Sequence, residues 1–518
     1  TQYYARMMDF STHPAYLSDA VKFERLYLNM WASPYKNKRI VLSEINDMLN
    51  DDIPIFYGLT DSKILIDSFG KQIEDCYDKS STEEVKELIG NIDNNFIEEQ
   101  VTHATVALGL FEKLVNKKFE CIEKLNFEEN DITLEKQQEL LLNGIKFLYN
   151  EIVKEVIWDN NKKTCSWISP IYDNKNNLWK LSPLSIDFFR GVGGIYLFLN
   201  YYSELLLDKN EELKELLNAL QYTLYKGIKD GVIEAGKRKN NEFIMNSINS
   251  IIQAIYVLLV SQLKNKDRTL FEVIELLLEL LENKANLILD DKVMFEIDFN
   301  IIIKILIELY KYTGLDKCLK LVEIFLNQFY KSTCTIKRAD NIYSGYGMLS
   351  VNLCELSHLI NDVSFLEQAK ELLDRNFKDY INTQDCSFYS GLGGFLMCLS
   401  QVYNKANEIS NFLPVIKKHI VKMGNKINID DSVFYGAAGE IEVIYSIYNL
   451  TKDDEIKSIL NKRVQYMLSR YNKLGSFNIK SLEKFKTVYF SQGLSGIGYT
   501  LLRIYNLSKL PNVLIFDT

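Results

Sequence analysis

The sequence predicts an all-α protein: a closed α/α toroid of seven helical hairpins, preceded by a smaller, mostly helical segment. Three observations carry this prediction. A Gly-x-x-Gly turn running straight into an apolar helix recurs along the chain, the copies are evenly spaced, and an amphipathic segment lies between successive copies.

The clearest copies are Phe189-Arg-Gly191-Val-Gly-Gly194, Tyr389-Ser-Gly391-Leu-Gly-Gly394, Tyr435-Gly436-Ala-Ala-Gly439 and Phe490-Ser-Gln-Gly493-Leu-Ser-Gly496, with a worn one at Tyr343-Ser-Gly345-Tyr-Gly347. First glycines at 191, 345, 391, 436 and 493 give steps of 154, 46, 45 and 57 residues. The long step holds about three ordinary ones, so two eroded copies are expected inside it, near Asn249 and near Asp298. That makes seven units. Glycine at the turn permits a positive φ, and without a Cβ it lets the start of a helix come close to its neighbours. A helix that begins there and is apolar on most sides must be buried among other helices. The partner segment of each unit, such as Val363-Ser-Phe-Leu-Glu-Gln-Ala-Lys-Glu-Leu-Leu-Asp-Arg375, keeps apolar residues at helical spacing with charges between them. An apolar inner helix paired with an amphipathic outer one closes into a ring, with the glycine turns crowding one end around a pocket.

Taken in order, residues 1–125 lack the glycine repeat and form the first segment, and 126–518 form the ring. Helical patterns run from Tyr16 to Trp31 and from Ser81 to Leu88, with a turn or extended piece at Asp51-Asp-Ile-Pro54-Ile-Phe56. The charged stretch from Asn116 to Asp131 is the boundary. A helix from Glu135 to Ile157 follows, then an irregular segment with Trp158, Trp167 and Trp179.

The 518 residues are 47% hydrophobic and 25% charged, which is a globular composition. A net charge of −9 without a basic run excludes a nucleic-acid partner. No apolar run is long enough for a transmembrane segment and no signal peptide opens the chain, so a cytoplasmic protein is expected. Eight cysteines without a Cys-x-x-Cys pair fit a reducing compartment.

The ring resembles the lanthionine cyclase (LanC-like) fold, and the whole chain resembles the C-terminal half of a class II lanthipeptide synthetase of the LanM type. Gly493-Leu-Ser-Gly-Ile-Gly-Tyr-Thr-Leu-Leu-Arg503, followed by Leu510-Pro-Asn-Val-Leu-Ile-Phe516, is similar to that family's C-terminus, and Trp158 through Gly194 to its cyclase entrance. His13-Pro14, Glu44 and Asp52-Ile-Pro54-Ile-Phe56 look like the end of its kinase-like dehydratase domain. The resemblance implies a lanthipeptide (lantibiotic) biosynthesis protein with a precursor peptide as partner. It also implies a dehydratase portion, separate or missing, because ATP and magnesium would be handled by motifs that residues 1–125 do not contain.

In the family the cyclase holds one zinc through a Cys in a Trp-Cys-x-Gly phrase and a Cys-His pair in a Cys-His-Gly phrase. The metal keeps a substrate thiol deprotonated for attack on a dehydrated serine or threonine. On this sequence those positions fall on Tyr389, Phe434 and Tyr435. Phenylalanine has no donor atom, and tyrosine, with a pKa of about 10, is a poor zinc ligand. The resemblance therefore implies a degenerate zinc site, no metal cofactor and a pseudoenzyme acting as peptide-binding or scaffold module. Tyr343, Tyr389 and Tyr435 are candidates to line a peptide cleft, or else fill the centre by packing. Catalytic candidates are Thr1, by resemblance to an Arg-Pro-Thr phrase, and Glu296 and Asp298 as bases of a zinc-independent cyclase. A third reading is an unrelated α/α-toroid enzyme. Cys386, His358 and His419 are read as packing or surface residues.

Overall fold

The computed structural model describes residues 2–33, 35, 37–123, 133–173, 176–205, 210–262, 268–288, 299–332, 341–381, 383–425, 428–482, 484–505 and 510–518. The chain divides into two compact units, Thr1–Val101 and Thr102–Thr518.

The first unit contains α1 (Gln2–Ser11), α2 (Pro14–Leu17), α3 (Ala20–Leu28) and α4 (Arg39–Leu49), then α5 (Ser81–Gly90) and α6 (Asn94–Ala107), which runs across the division. Asp19 caps α3, and a capping box of Ser80 and Glu83 starts α5. A small antiparallel sheet joins β1 (Tyr57–Gly58), β2 (Leu65–Ile66) and β3 (Gln72–Ile73). The core of this unit is Tyr27, Met30, Val41 and Met48, with Glu44 accepting from the hydroxyls of Tyr4 and Tyr35. The helix expected over Tyr16–Trp31 is interrupted at Asp19 and ends in a 3₁₀ turn over Asn29–Ala32.

The second unit begins with α7 (Phe111–Glu123) and α8 (Leu134–Lys154); the end of the expected boundary stretch, 124–131, lies outside the described residues. Two hairpins follow, β4 (Ile157–Trp158) with β5 (Cys165–Ser166), and β6 (Ile168–Asp173) with β7 (Leu178–Pro183). The irregular tryptophan segment is thus mostly β. Trp167, fully buried, donates its indole N–H to the Ile152 carbonyl and fastens the hairpins to α8.

The remaining helices alternate between ring layers. The inner layer is α9 (Val192–Leu205), α11 (Asn241–Ser261), α13 (Phe299–Thr313), α15 (Tyr346–Ile360), α17 (Leu392–Lys405), α19 (Ala437–Thr451) and α21 (Leu494–Tyr505); each packs on the next, and α21 returns to α9. The outer layer is α10 (Glu211–Lys237), α12 (Arg268–Ile288), α14 (Asp316–Ser332), α16 (Val363–Ile381), α18 (Ile409–Asn425) and α20 (Asp454–Leu474), each against the inner helix before it. The seventh hairpin is discontinuous, because α8 packs on α21 and α20 and so closes the circle. Among the described residues this is an α/α toroid of seven helical pairs. The two eroded units are α11 and α13, which enter the ring without a Gly-x-x-Gly turn; Asn240 caps the first of them. Residues 242–262 are long and apolar enough to cross a membrane, but they include nearly all of α11, and 72% of their most apolar 18-residue stretch is buried inside the ring.

The segment 510–518 lies at the ring's centre. Tyr343 Oη donates to the Leu514 carbonyl (2.9 Å), Tyr256 Oη to that of Asp517 (2.7 Å) and Tyr499 Oη to that of Pro511 (2.9 Å). Phe516 sits among Phe188, Phe189, Tyr256 and Tyr343 at centroid distances of 4.9–6.0 Å.

Candidate functional site

The site is built by the glycine turns at the start of the inner helices. In four of them the N–H following the first glycine donates to a carbonyl seven residues back: Val192 to Ser185, Leu392 to Asp385, Ala437 to Asp430 and Leu494 to Thr487, at 2.7–3.0 Å. A Cβ on the first glycine would strike those same carbonyl oxygens, 2.6 Å away at Gly391 and 2.5 Å at Gly436. The backbone at Gly345, Gly391 and Gly436 is extended, with φ of −98°, −108° and −118°. The expected positive φ is therefore absent there, and glycine is required by close approach alone.

The second glycine serves the ring. A Cβ on Gly194, Gly394, Gly439 or Gly496 would meet the carbonyl of Phe188, Phe388, Val433 or Phe490 within its own turn, and also the side chain of Phe490, Ile342, Phe388 or Val433 from the preceding unit. The turns are further joined by main-chain hydrogen bonds running around the mouth: Ile342 N to Tyr389 O, Tyr389 N to Phe434 O, Phe434 N to Ser491 O and Ser491 N to Phe189 O, at 2.8–3.0 Å. These bonds place Tyr389, Phe434, Ser491 and Phe189, each two before a first glycine, at equivalent points on the rim, joined by Ile342, three before Gly345.

Phe189, Tyr389 and Phe434 are aromatic, and they cluster with Tyr343 beside Ile342. Tyr389 and Phe434 stack at 4.4 Å with planes 10° apart. Phe189 lies 4.9 Å from Phe434, Tyr343 lies 6.1 Å from Tyr389, and Tyr435 stands edge-on to Tyr389 at 5.7 Å. Tyr343 is 1% exposed and its hydroxyl is held by Leu514, so it packs beneath the mouth, whereas Tyr435 is 39% exposed and Tyr389 partly so. Burial raises the Tyr435 pKa, the charge of Arg190 opposes this, and Asp385 and Asp430 add to it. Burial also raises Asp430 itself, while Asp385 accepts from Ser387 N and Ser390 Oγ. Arg190, Asp385 and Asp430 are mouth residues that sequence reasoning passed over; the only signal was their place within the repeated turn.

This donor set does not fit a zinc ion. Tyr389, Phe434 and Tyr435, the residues expected from the sequence to stand at ligand positions, are three aromatic rings in mutual contact, with neither sulfur nor imidazole among them. Cys386 is buried with its thiol toward the Gln384 carbonyl, His358 is exposed on α15, and His419 is buried on α18. Among the described residues no group of three or more His, Cys, Asp or Glu is placed to hold a metal. Thr1, Glu296 and Asp298 lie outside the described residues.

A second polar cluster lies deeper in the ring, beginning six residues into α13. Lys304, fully buried, contacts Glu308 (2.8 Å), Asp517 (3.3 Å) and Glu355 (3.5 Å), and Lys311 and Lys405 close on the same carboxylates. Burial opposes the charges of Glu308 and Glu355, but the lysines outweigh it and hold both carboxyls below their ordinary range.

Two family descriptions match this chain. Residues 337–515 match "Lanthionine synthetase C-like protein", and residues 1–58 match "Domain of unknown function (DUF4135)", a domain found in lanthipeptide synthetases. No curated protein matches. Among solved structures, an unsaturated glucuronyl hydrolase from Streptococcus agalactiae aligns at 11% identity and TM-score 0.37, over 74% of this chain and 99% of that one. A point mutant of that hydrolase aligns at 12% and 0.36, over 74% and 95%.

Proposed function

From a chain with the make-up of the C-terminal region of a LanM-type lanthipeptide synthetase, we propose a zinc-free module of lanthipeptide biosynthesis that binds the precursor peptide at the mouth of its ring without closing thioether rings. The observation that supports this reading is the Tyr389–Phe434 stack at 4.4 Å, formed by two of the residues that the sequence resemblance sets over the family's zinc ligands. Two rings in van der Waals contact leave no donor to depress a thiol's pKa, and an unactivated cysteine is mostly protonated near neutrality. What remains is a partly exposed aromatic shelf, Tyr389 and Tyr435, with Arg190, Asp385 and Asp430 nearby. Such a shelf suits an apolar or aromatic side chain lying on the rings while the charged groups take up peptide N–H and C=O groups. Dehydration of that peptide, with its ATP and magnesium, falls to a dehydratase portion whose phosphate-handling motifs residues 1–125 lack.

The test combines three measurements on the purified chain. Metal analysis should find well under one zinc per chain, and calorimetry should detect binding of a dehydrated precursor peptide that Tyr435→Ala weakens at least several-fold. Thiol titration should show the peptide's cysteines unconsumed. Stoichiometric tightly bound zinc would sink the proposal, and so would loss of thiols in the presence of a chelator, which would instead favour a metal-independent cyclase.

A further inference from the structure

We infer that the outer edge of β7, beside the end of α6, takes up an extended peptide as a third strand of the β6–β7 sheet. Its role does not depend on that of the mouth.

The register of the hairpin decides which main-chain groups are spare. Leu184 N donates to Trp167 O at 3.0 Å, one step beyond the pairing of Ile168 with Pro183. Bonded and unbonded pairs alternate in an antiparallel ladder, so Ser169 with Ser182, Ile171 with Lys180 and Asp173 with Leu178 are the bonded pairs. Both prolines of the hairpin, Pro170 and Pro183, fall on unbonded positions, where a missing N–H leaves the ladder intact. On β7 the N–H and C=O groups of Trp179 and Leu181 therefore point away from β6. They recur about 6.6 Å apart, the repeat that a neighbouring strand presents. Among the described residues the sheet has two strands, so that edge has no strand partner. The outer edge of β6 differs, because Pro170 interrupts its donors.

The space beside β7 suits a strand. A cavity of about 470 Å³ is lined by Leu178, Trp179, Lys180 and Leu181, four residues in a row. Successive side chains of a strand point to opposite faces, so a cavity that touches all four runs along the edge rather than over one face. The last residue of β6, Asp173, lies at one end, and α6 supplies a wall through His103, Val106 and Ala107. The volume is within the range usual for ligand sites, roughly 300–1,000 Å³. The edge is held from within: Trp179 packs on Phe111 at 4.4 Å and on Tyr172 at 5.5 Å, and Trp167 ties the hairpins to α8. Trp179 and Leu181 share their face with Val106, while Lys180 and Asp173 pair on the other. The fitting peptide is thus apolar at alternate positions, which lie against α6, and polar between them. Because α6 walls one side of the edge, a single strand fits there better than the edge of a second copy.

The probe is a fluorescein-labelled heptapeptide, Ser-Val-Thr-Phe-Thr-Val-Ser, titrated against the full chain by anisotropy. Two further peptides carry N-methyl groups, one on the Val and Phe amides and one on the Thr amides, and so block opposite edges of the peptide strand. One of them should lose about tenfold or more in affinity and the other should not; the first is lost if the added strand is antiparallel to β7, the second if it is parallel. Equal loss from both, or none from either, overturns the inference. In the protein, Leu181→Pro removes a spare N–H and should weaken binding more than Leu181→Ala, which keeps it. Ala107→Trp, exposed on α6, should fill the groove and abolish binding, whereas Lys229→Trp, exposed on α10, should not. Binding that survives Ala107→Trp overturns the inference. Hydrogen exchange on the unaltered chain needs no variant to fold: saturating peptide should slow the Trp179 and Leu181 amides about tenfold or more, and leave Lys180 and Ser182, already bonded to β6, at their own rates. No slowing at 179 and 181 overturns the inference. So does a dimer in solution that Ala107→Trp dissociates and the peptide does not, which would give the edge to a second copy.

Discussion

Gly439 and Gly236 show that a glycine's worth depends on what surrounds it. A Cβ on Gly439 would be driven into the Val433 carbonyl and would crowd the Cβ of Phe388 at 3.1 Å, whereas a Cβ on Gly236, exposed near the end of α10, would meet nothing within 4 Å. The first obstacle is main chain already committed to the mouth's hydrogen bonds, so it cannot yield cheaply. Gly439→Ala is expected to cost about 3 kcal/mol or more in urea denaturation, while Gly236→Ala should stabilise by about 0.5 kcal/mol through helix propensity. Equal effects would mean that the turn is looser than its geometry. His419 offers a second residue-scale test. Its imidazole is buried, its Nδ1 has no partner, and its pKa is lowered, first by burial and then by Lys418 and Lys422. A base whose folded value lies below its ordinary 6.5 takes up a proton in the unfolded chain before the folded one does, so this residue imposes no penalty well above pH 6.5 and destabilises the fold as pH drops through that value. The melting temperature should fall between about pH 7.5 and 5.5, and His419→Gln should fall less. Identical slopes would remove His419 from the account.

Among the elements, α19 shows how an inner helix accommodates charge. It is buried from Ala437 to Ile447, yet carries Glu440 and Glu442, which pair with Arg463 of α20 and Arg503 of α21. Arg503 also lies over the Tyr445 ring at 5.0 Å. Removing one member of such a pair strands the other in a medium that solvates it poorly, so Arg503→Leu should cost about 3–5 kcal/mol. The double variant Glu442→Leu, Arg503→Leu should regain most of that. A double-mutant cycle by urea denaturation checks it, and additive losses would contradict the pairing. The elements were unequally legible in the sequence. Glycine turns stood out because main-chain contacts permit nothing larger, and from their spacing the seven units could be read; the eroded copy expected near Asn249 instead falls mid-way along α11, which starts at Asn241, because without its glycines nothing in the sequence marks the turn, and the one expected near Asp298 lies outside the described residues. The β6–β7 hairpin was not readable: prolines at 170 and 183 and scattered aromatics conceal its alternation, and its register depends on a partner strand. At the site, the aromatic residues at 389, 434 and 435 were visible in the repeated turns, but the burial of Tyr343 was not, because the carbonyl that holds it is 171 residues away. Lys304 was hidden for the same reason: a lysine in an apolar helix reads as a solvent-facing charge, and its carboxylates come from three separate segments.

For the ring as a whole, the segment 510–518 ties its two ends of function together. At one end Asp517 engages Lys304, which holds Glu308 and Glu355; one residue earlier, Phe516 packs under Phe189 and Tyr343, the rings on which the mouth rests. Phe516 takes a left-handed backbone conformation, φ 55°, which a bulky residue adopts only when its surroundings insist. The ring supplies that insistence through Tyr256, Tyr343 and Tyr499, whose hydroxyls hold the segment's carbonyls. A closed circle of helices with a hollow centre would leave the mouth's aromatic residues unsupported from below, and this segment fills that hollow. Truncating Phe516 should therefore be felt at the mouth, several residues removed in space and far removed in sequence. Phe516→Ala is expected to cost about 3–5 kcal/mol. In native-state hydrogen exchange it should speed the Tyr389 and Phe434 amides, which bridge successive turns, more than amides in outer helices such as α16. Uniform acceleration across the ring would show that Phe516 contributes only to global stability. Selective acceleration at 389 and 434 would show that the central segment sets the rigidity of the surface on which a peptide would lie.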